Sequence, residues 1–134
     1  MDHTPSQNIK WSPQPEVNFT GKAWMGVLSR ADDRVASAIA VLFEPGARTH
    51  WHSHPQGQVL YVTSGTGRVG TQAGDVARIS PGDVVYASPG ELHWHGAAPD
   101  SPMSHLSMTT GGATVWEPRA VSDEEYSLGA SPGG

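Results

Sequence analysis

The chain lacks cysteine, has few basic residues and contains only short hydrophobic runs. Without cysteine there is neither a disulfide framework nor a thiolate ligand, so any bound metal must be held by nitrogen and oxygen donors. Eight Lys and Arg stand against 13 Asp and Glu, which gives a net charge of −5. Nucleic acids and anionic membranes require clustered positive charge, and the sequence shows no basic stripe, so neither is an expected partner.

No hydrophobic run approaches the ~18 residues of a membrane span. The first residues, Met1–Pro5, show no basic segment followed by an apolar one. We therefore expect a cytoplasmic protein. The 134 residues suit one domain that is large enough for a genuine core.

The distribution of glycine and proline predicts an all-β fold. Sixteen Gly and 11 Pro separate short apolar runs, which form roughly ten predicted strands at the spacing typical of a sandwich or barrel. The clearest strand is Val35–Phe43, which is apolar on both faces and therefore predicted to be central. We expect a turn at Arg30–Arg34 just before it.

The chain divides into three predicted segments. Residues 1–15, rich in proline, form an extended arm that is either disordered or adds a strand to a neighbouring subunit. Residues 16–120 form the β-barrel. Residues 121–134 form a helical turn and a flexible tail, and the spacing of Ser122 and Glu125 is that of a helix capping box.

Six of the seven histidines lie between positions 50 and 105. Side chains alternate between the two faces of a strand, so histidines two residues apart point the same way. Two groups have this spacing: His50, His52 and His54, and then His93 and His95. Gln58 continues the parity of the first group and adds a carbonyl oxygen donor. These donors on one face predict a site for a divalent metal.

The spacing favours His52, His54, Gln58 and His93 as the metal ligands. His52 and His54 can chelate one ion from a single strand, Thr49–His54. Gln58 follows after the corner at Pro55–Gly57, and His93 comes from a distant strand. Buried imidazoles without partners are costly, which favours a metal over a set of purely structural histidines.

The same spacing resembles the paired motifs of the cupin superfamily. The first motif runs from Gly46 through His52-Ser53-His54 and Gln58 to Gly65, and the second runs from Gly82-Asp83 through Gly90 to His93. The resemblance covers residues 35–117 and implies a small jelly-roll-like antiparallel barrel with a metal on two His, one Glu or Gln, and a third His. Two peripheral positions depart from the pattern: Ser88 replaces the usual Pro and Ala97 a common Asn.

Several stretches are more specifically similar to bacterial manganese-dependent cupin hydroxynitrile lyases. These stretches are Phe43–Thr49, Trp51-His52, His54-Pro55, Gly82–Val85, Ser88–Glu91 and His93–Pro99. The resemblance implies Mn²⁺ on His52, His54, Gln58 and His93, with His105 as general base. His50 departs from these lyases, which carry small residues at this position. Uncharacterised cupins share many of these stretches, so the resemblance to the barrel is stronger than the resemblance to the reaction.

Glutamine as the oxygen ligand has a chemical consequence. Four neutral ligands leave the full charge of a divalent ion on the site, which favours Lewis-acid chemistry over oxygen activation. The donors admit Mn, Fe, Ni, Co or Zn, and ligand type alone does not choose among them. The leading hypothesis is cyanohydrin cleavage, with His105 or His95 as the proton carrier.

Alternation also predicts the surroundings of the site. Val41, Phe43 and Leu60 point into the barrel as candidate pocket residues. His50 lies at its mouth, either as a bystander or as a further imidazole near the ion. We expect Trp51 and Trp94 to pack on the outer side of their sheet, under another strand or subunit. Arg48 is expected to be a surface or interface residue.

Three other functions remain open at this point. The first is an Fe(II)-dependent dioxygenase, the second a cupin isomerase or cyclase, and the third a non-catalytic cupin that binds small molecules around a structural metal. In each case the expected partner is a small molecule. The arm and the five tryptophans, together with the habit of small cupins to associate through their sheets, predict a homodimer or homotetramer.

Overall fold

The computed structural model describes residues 1–29 and 37–128. The first seven strands in these ranges are β1 (Trp11–Pro13), β2 (Phe19–Thr20), β3 (Ala23–Ser29), β4 (Ser37–Phe43), β5 (Arg48–Thr49), β6 (His52–Ser53) and β7 (Gln58–Gly65). The others are β8 (Gly67–Thr71), β9 (Val76–Ile79), β10 (Val84–Ala87), β11 (His93–Ala97), β12 (Met103–Thr109) and β13 (Val115–Trp116). A 3₁₀ turn spans Ser6–Asn8, and the helix α1 spans Asp123–Ser127.

The strands form two antiparallel sheets. One has six strands in the order β1-β3-β4-β12-β7-β10. The other has the order β13-β6-β11-β5-β2, and β8 joins β11 to β9 beside that path. The all-β prediction is confirmed. No helix within the described ranges is long and apolar enough to cross a membrane.

The main core lies between the two sheets. Phe43 and Val62 of the six-stranded sheet meet Phe19, Ile79 and Ala97 of the other sheet in one buried cluster. Alternation explains this arrangement, because every second residue of β4 and β7 points inward. Burial of apolar side chains is the main favourable contribution to folding, and this cluster is where the two sheets supply it.

Strand β4 has the predicted central position, between β3 and β12. Its described part begins at Ser37, and the predicted turn at Arg30–Arg34 lies outside the described residues. The predicted strand Thr49–His54 is wrong as a continuous element. It is two short strands, β5 and β6, separated by His50 and Trp51.

Part of the N-terminal arm belongs to the six-stranded sheet of its own chain. Trp11 pairs with Gly26 and Pro13 with Trp24, so β1 forms an edge of the sheet beside β3. The expectation of a disordered arm, or of a strand added to a neighbouring subunit, is therefore wrong for Trp11–Pro13. Proline suits an edge, where one row of backbone groups needs no partner.

The C-terminal segment covers the outer side of the second sheet. Trp51, Trp94, Val121 and Tyr126 form a second buried cluster. The expected packing of both tryptophans outside the sheet is confirmed, and Val121 and Tyr126 of the same chain cover them. The predicted capping box is also confirmed, because Ser122 and the backbone and side chain of Glu125 bond reciprocally. The predicted tail falls mostly on residues 129–134, outside the described residues.

Arg48 and Tyr126 hold this segment in place. The Arg48 guanidinium donates to the Val121 carbonyl at 3.0 Å and to the Asp123 carboxylate at 2.8 Å. It also lies 4.3 Å from the centre of the Tyr126 ring, and the Tyr126 hydroxyl donates to the Ala97 carbonyl. Arg48 is only 6% exposed, so its prediction as a surface or interface residue is wrong. Its guanidinium is paired with Val121, Asp123 and Tyr126 of the C-terminal segment.

We predict that Tyr126 contributes strongly to stability. Tyr126→Phe removes one buried hydrogen bond and should lower the free energy of unfolding by about 1 kcal/mol. Tyr126→Ala also removes the ring and should cost about 3 kcal/mol. Urea unfolding measures both, with exposed Ser127→Ala as a control that should change little. Equal stability of wild type and Tyr126→Ala would contradict this role of the segment.

Candidate metal centre and its cavity

A cavity opens between the two sheets and contains the histidine cluster. It has about 480 Å³ of empty space, its open mouth included. Its apolar wall includes Phe19, Met25, Ile39, Val41 and Trp116, and its polar wall includes His52, His54, Gln58, His95 and His105. An apolar cavity with a few convergent polar groups is typical of a small-molecule site.

Two histidines face each other at the centre of the cluster. His52 of β6 pairs in register with His93 of β11, and their ring centroids are 4.4 Å apart. Each Nδ1 lies 2.9 Å from the main-chain carbonyl two residues earlier, at His50 and Glu91 respectively. A carbonyl only accepts, so each Nδ1 carries the proton and donates it. Each Nε2 therefore has a free lone pair.

His54 and Gln58 lie beside this pair. The His54 ring is 5.1 Å from that of His52, centroid to centroid, and its buried Nε2 has no hydrogen-bond partner among the described residues. Gly57 turns the chain from His54 to Gln58 at a φ of 84°, and a Cβ there would lie 2.8 Å from the Ala87 carbonyl oxygen. Glycine is therefore required at this corner.

The donor atoms fit a cation. Gln58 Oε1 lies 3.0 Å from His93 Nε2, so two acceptors face each other without a proton between them. A cation between the two lone pairs satisfies both. Nitrogen and amide oxygen donors suit a divalent transition metal.

His95 lies closer to the centre than expected. The ligand atoms of His52, His93 and His95 lie within 4.8 Å of one another, and this is the metal-competent triad among the described His and acidic residues. His54 is outside that triad, whereas the sequence favoured it over His95. The structure thus brings all four predicted ligands to one place but adds a fifth candidate.

His105 is bonded to His95. His105 Nε2 lies 3.0 Å from His95 Nδ1, and both rings contact Phe43. Their outer nitrogens, His95 Nε2 and His105 Nδ1, are buried without a partner in the described part of the chain. The pair thus connects the cluster to a second strand, β12, through one hydrogen bond.

Burial keeps these imidazoles neutral. Desolvation lowers the pKa of His54 and of His105 from 6.5 to about 4. It also lowers the pKa of His52 and His95 well below 6.5. The electrostatic effect of His93 adds to the lowering at His52, and that of His105 adds to the lowering at His95. The pKa of His93 is lowered by the same cause. Neutral imidazole is the form that binds metals.

The predicted pocket residues have different positions. Val41 lines the cavity, whereas Phe43 is fully buried against His95 and His105 and is not part of the cavity wall within the described residues. Leu60 is buried in the core, and the cavity wall within the described residues does not include it. His50 is half-buried against Val17 and Asn18, so its predicted place at the cavity is wrong. The break between β5 and β6 reverses its parity, and Thr49 points inward instead.

The sequence reasoning missed several cavity residues. Thr49, Ser107 and Trp116 all line the wall. Alternation along β12 could have identified Ser107, since it shares the parity of His105. No local signal indicates Phe19 or Trp116, which reach the cavity through long-range strand pairing.

Known proteins resemble this chain in sequence and fold. The chain matches the family described as Cupin domain over residues 40–109. It is 48% identical over 112 residues to a Granulicella tundricola protein named (R)-mandelonitrile lyase, covering 81% of this chain and 85% of that protein.

Solved structures also resemble this chain in fold. A cupin-like protein from Thermotoga maritima has a TM-score of 0.81 at 40% identity, covering 87% of this chain and 90% of that one. The polyketide cyclase RemF from Streptomyces resistomycificus has a TM-score of 0.74 at 16% identity, covering 98% and 94%. The second likeness concerns the fold alone.

The pKa of His105 predicts acid sensitivity of the metal-free protein. Unfolded histidine titrates near 6.5, so between pH 6.5 and 4 the unfolded state binds more protons than the folded state. Stability should be greatest above pH 6.5 and fall as the pH drops towards 4, by ~3 kcal/mol from His105 alone. Urea unfolding at pH 7, 6 and 5 should show this slope, and His105→Phe should reduce it. An unchanged slope in the variant would contradict the prediction.

Proposed function

The chain belongs to the cupin family, and from its site we propose that it is a metal-dependent lyase that cleaves and forms cyanohydrins. The products of cleavage are an aldehyde and cyanide. The observation that carries the proposal is that one apolar cavity contains both a cluster of donor atoms able to bind a cation and the buried, neutral pair His95–His105. The 48% identity to a protein named (R)-mandelonitrile lyase supports the choice of reaction.

His52, His54, Gln58 and His93 would hold the metal, with His95 adjacent. We propose Mn²⁺, with Fe²⁺ or another divalent transition metal as an alternative occupant. When bound, the ion supplies a Lewis acid that polarises the oxygen of the substrate. Gln58 brings no negative charge to the cluster, and the cavity wall within the described ranges includes no carboxylate.

His105 and His95 handle the proton. With one proton on each ring, two arrangements keep the bond between them. If His105 Nε2–H donates to His95 Nδ1, then His105 Nδ1 is a free base. If His95 Nδ1–H donates instead, then His95 Nε2 is the free base and faces the cluster. The pair can therefore accept the hydroxyl proton of a cyanohydrin at one end, and return it to the departing cyanide.

The apolar wall sets the kind of substrate. Met25, Ile39 and Val41 come from the six-stranded sheet, while Phe19 and Trp116 come from the other. These side chains offer no charge to bind a carboxylate or phosphate, so the organic group of the substrate should be uncharged. The aromatic rings suit an aromatic or branched aliphatic aldehyde.

We also propose that the protein is a homodimer or homotetramer associated through the outer face of the six-stranded sheet. Tyr61, Val84 and Tyr86 are 42%, 66% and 63% exposed on adjacent strands. Across the same face lie Leu42 and Trp11, so the exposed apolar area extends over the sheet. Large exposed apolar patches mark interaction sites. The cytoplasmic location stays a prediction.

We predict mandelonitrile cleavage by the manganese-loaded protein. It should release benzaldehyde from mandelonitrile above background, and His105→Ala should lower kcat by about 10²–10⁴-fold while leaving bound manganese unchanged. His52→Ala should lose both metal and activity. Elemental analysis and benzaldehyde absorbance measure the two properties on the same samples.

The comparison with His52→Ala is also the critical control. Release by wild type that does not exceed release by His52→Ala would contradict the lyase proposal. Oxygen uptake with an electron-rich substrate, together with absent cyanohydrin cleavage, would indicate a dioxygenase instead.

For the oligomer, we predict that Tyr86→Lys and Val84→Lys shift the protein to a monomer. A buried apolar side chain replaced by a charge cannot be accommodated in such an interface. Light scattering at micromolar concentration measures the mass. Val17→Lys, at a 74% exposed position in the turn between β1 and β2, is the matched control. A monomeric wild type would refute the proposal.

A further inference from the structure

The side-chain amide of Gln58 has two ends of nearly equal size and opposite chemistry. Only the oxygen can bind a cation, whereas the NH₂ group can only donate. In the structure Oε1 faces His93 Nε2 at 3.0 Å, and Nε2 donates to the Ser107 hydroxyl at 2.6 Å. Gln58 is 4% exposed and Ser107 is 7% exposed, so both contacts are buried.

We propose that Ser107 is a positioning residue that presents the oxygen of Gln58, rather than its NH₂ group, to the metal. This inference rests on the proposed function, since it concerns the ion that the cluster would hold. Ser107 contacts neither the ion nor the substrate in this role. It acts through Gln58 by giving the buried NH₂ group an acceptor when the oxygen is used as a ligand.

The need for such a residue follows from the alternative orientation of Gln58. Turned by 180° about its last torsion, the amide would donate from its NH₂ group to the free lone pair of His93 Nε2. That bond is favourable in the metal-free protein and blocks the ligand position. An amide whose oxygen binds a cation becomes a stronger donor, so the bond to Ser107 is stronger in the metal-bound state.

Ser107 has this position because of strand register. On β12 it faces the cavity with His105, two residues earlier, and it pairs with Leu60 of β7. Gln58 lies two residues before Leu60 on the same inward face of β7. The two side chains are thus diagonal neighbours across the β7–β12 pair, close enough for direct contact.

The same strand provides a matched control. Ser104 lies on the opposite face of β12, where its hydroxyl bonds to Thr63 at 2.7 Å and to Ser64 at 2.5 Å. Ser104→Ala therefore removes the same hydroxyl from the same strand, also with loss of side-chain hydrogen bonds. It leaves Gln58 and the cavity untouched.

The experiment is a Mn²⁺ titration of metal-free protein, with free Mn²⁺ followed by electron paramagnetic resonance. Ser107→Ala should weaken binding about tenfold, the lower end of the range for residues that orient metal ligands. Ser104→Ala should bind like wild type. Thermal unfolding of the metal-free proteins should show that both variants remain folded.

A second background tests the orientation argument itself. In Gln58→Glu both terminal atoms are oxygens, so neither orientation presents a nitrogen. Adding Ser107→Ala to Gln58→Glu should therefore leave Mn²⁺ affinity nearly unchanged. An equal loss in the glutamine and glutamate backgrounds would overturn the proposal and indicate a general packing effect.

The remaining outcomes separate this inference from the proposed function. If wild type binds Mn²⁺ and Ser107→Ala binds it equally well, only the positioning role is overturned. If wild type binds no Mn²⁺, the proposed manganese site is overturned, and the role of Ser107 in presenting Gln58 to Mn²⁺ is overturned with it.

Discussion

The site depends on two hydrogen bonds from imidazole to main chain. His52 and His93 each donate from Nδ1 to the carbonyl two residues earlier, both at 2.9 Å. These bonds fix the tautomer, orient both rings and leave the Nε2 lone pair of each free on the side of the histidine cluster. Because the two residues pair in register between β6 and β11, the lone pairs converge from opposite strands. The same local device, used twice, thus creates the cluster.

The converging lone pairs belong to buried side chains. Parts of the fold on both sides of β11 produce this burial. The inner side has the apolar wall that lowers the pKa of each imidazole. The outer side is closed by the C-terminal segment, in which Tyr126 bonds to Ala97 at the end of β11 and Arg48 bonds to Val121 and Asp123. A segment remote from the cavity therefore supports the strand that carries His93 and His95. Neutral imidazoles, once buried, remain competent to bind a metal at neutral pH.

Alternation along strands predicted much of this arrangement from sequence. It placed His52, His54, Gln58 and His93 together, and the capping box at Ser122 was read correctly. It failed at His50, because alternation assumes an unbroken strand. There the main chain bonds instead to Asn18, Glu117 and Arg119, partners that are distant in sequence and invisible to a local pattern. The prediction for Arg48 failed for a similar reason, because a charged residue is expected to be exposed unless its partners in the fold are known.

In the proposed cyanohydrin reaction, the lowered pKa of the His95–His105 pair determines which of the two proton transfers the pair favours. With a pKa of about 4, His105 is a weaker base than an ordinary imidazole, and its protonated form is a stronger acid. In the proposed reaction it would return a proton readily to cyanide and take one reluctantly from a neutral hydroxyl. Removal of the hydroxyl proton therefore needs a group that lowers the pKa of that hydroxyl. A neutral Gln58 leaves more positive charge at the cluster for this purpose than a carboxylate would. The neutral Gln58 and the lowered pKa of the two histidines are thus complementary. A weaker histidine base requires a more positively charged cluster to help remove the hydroxyl proton.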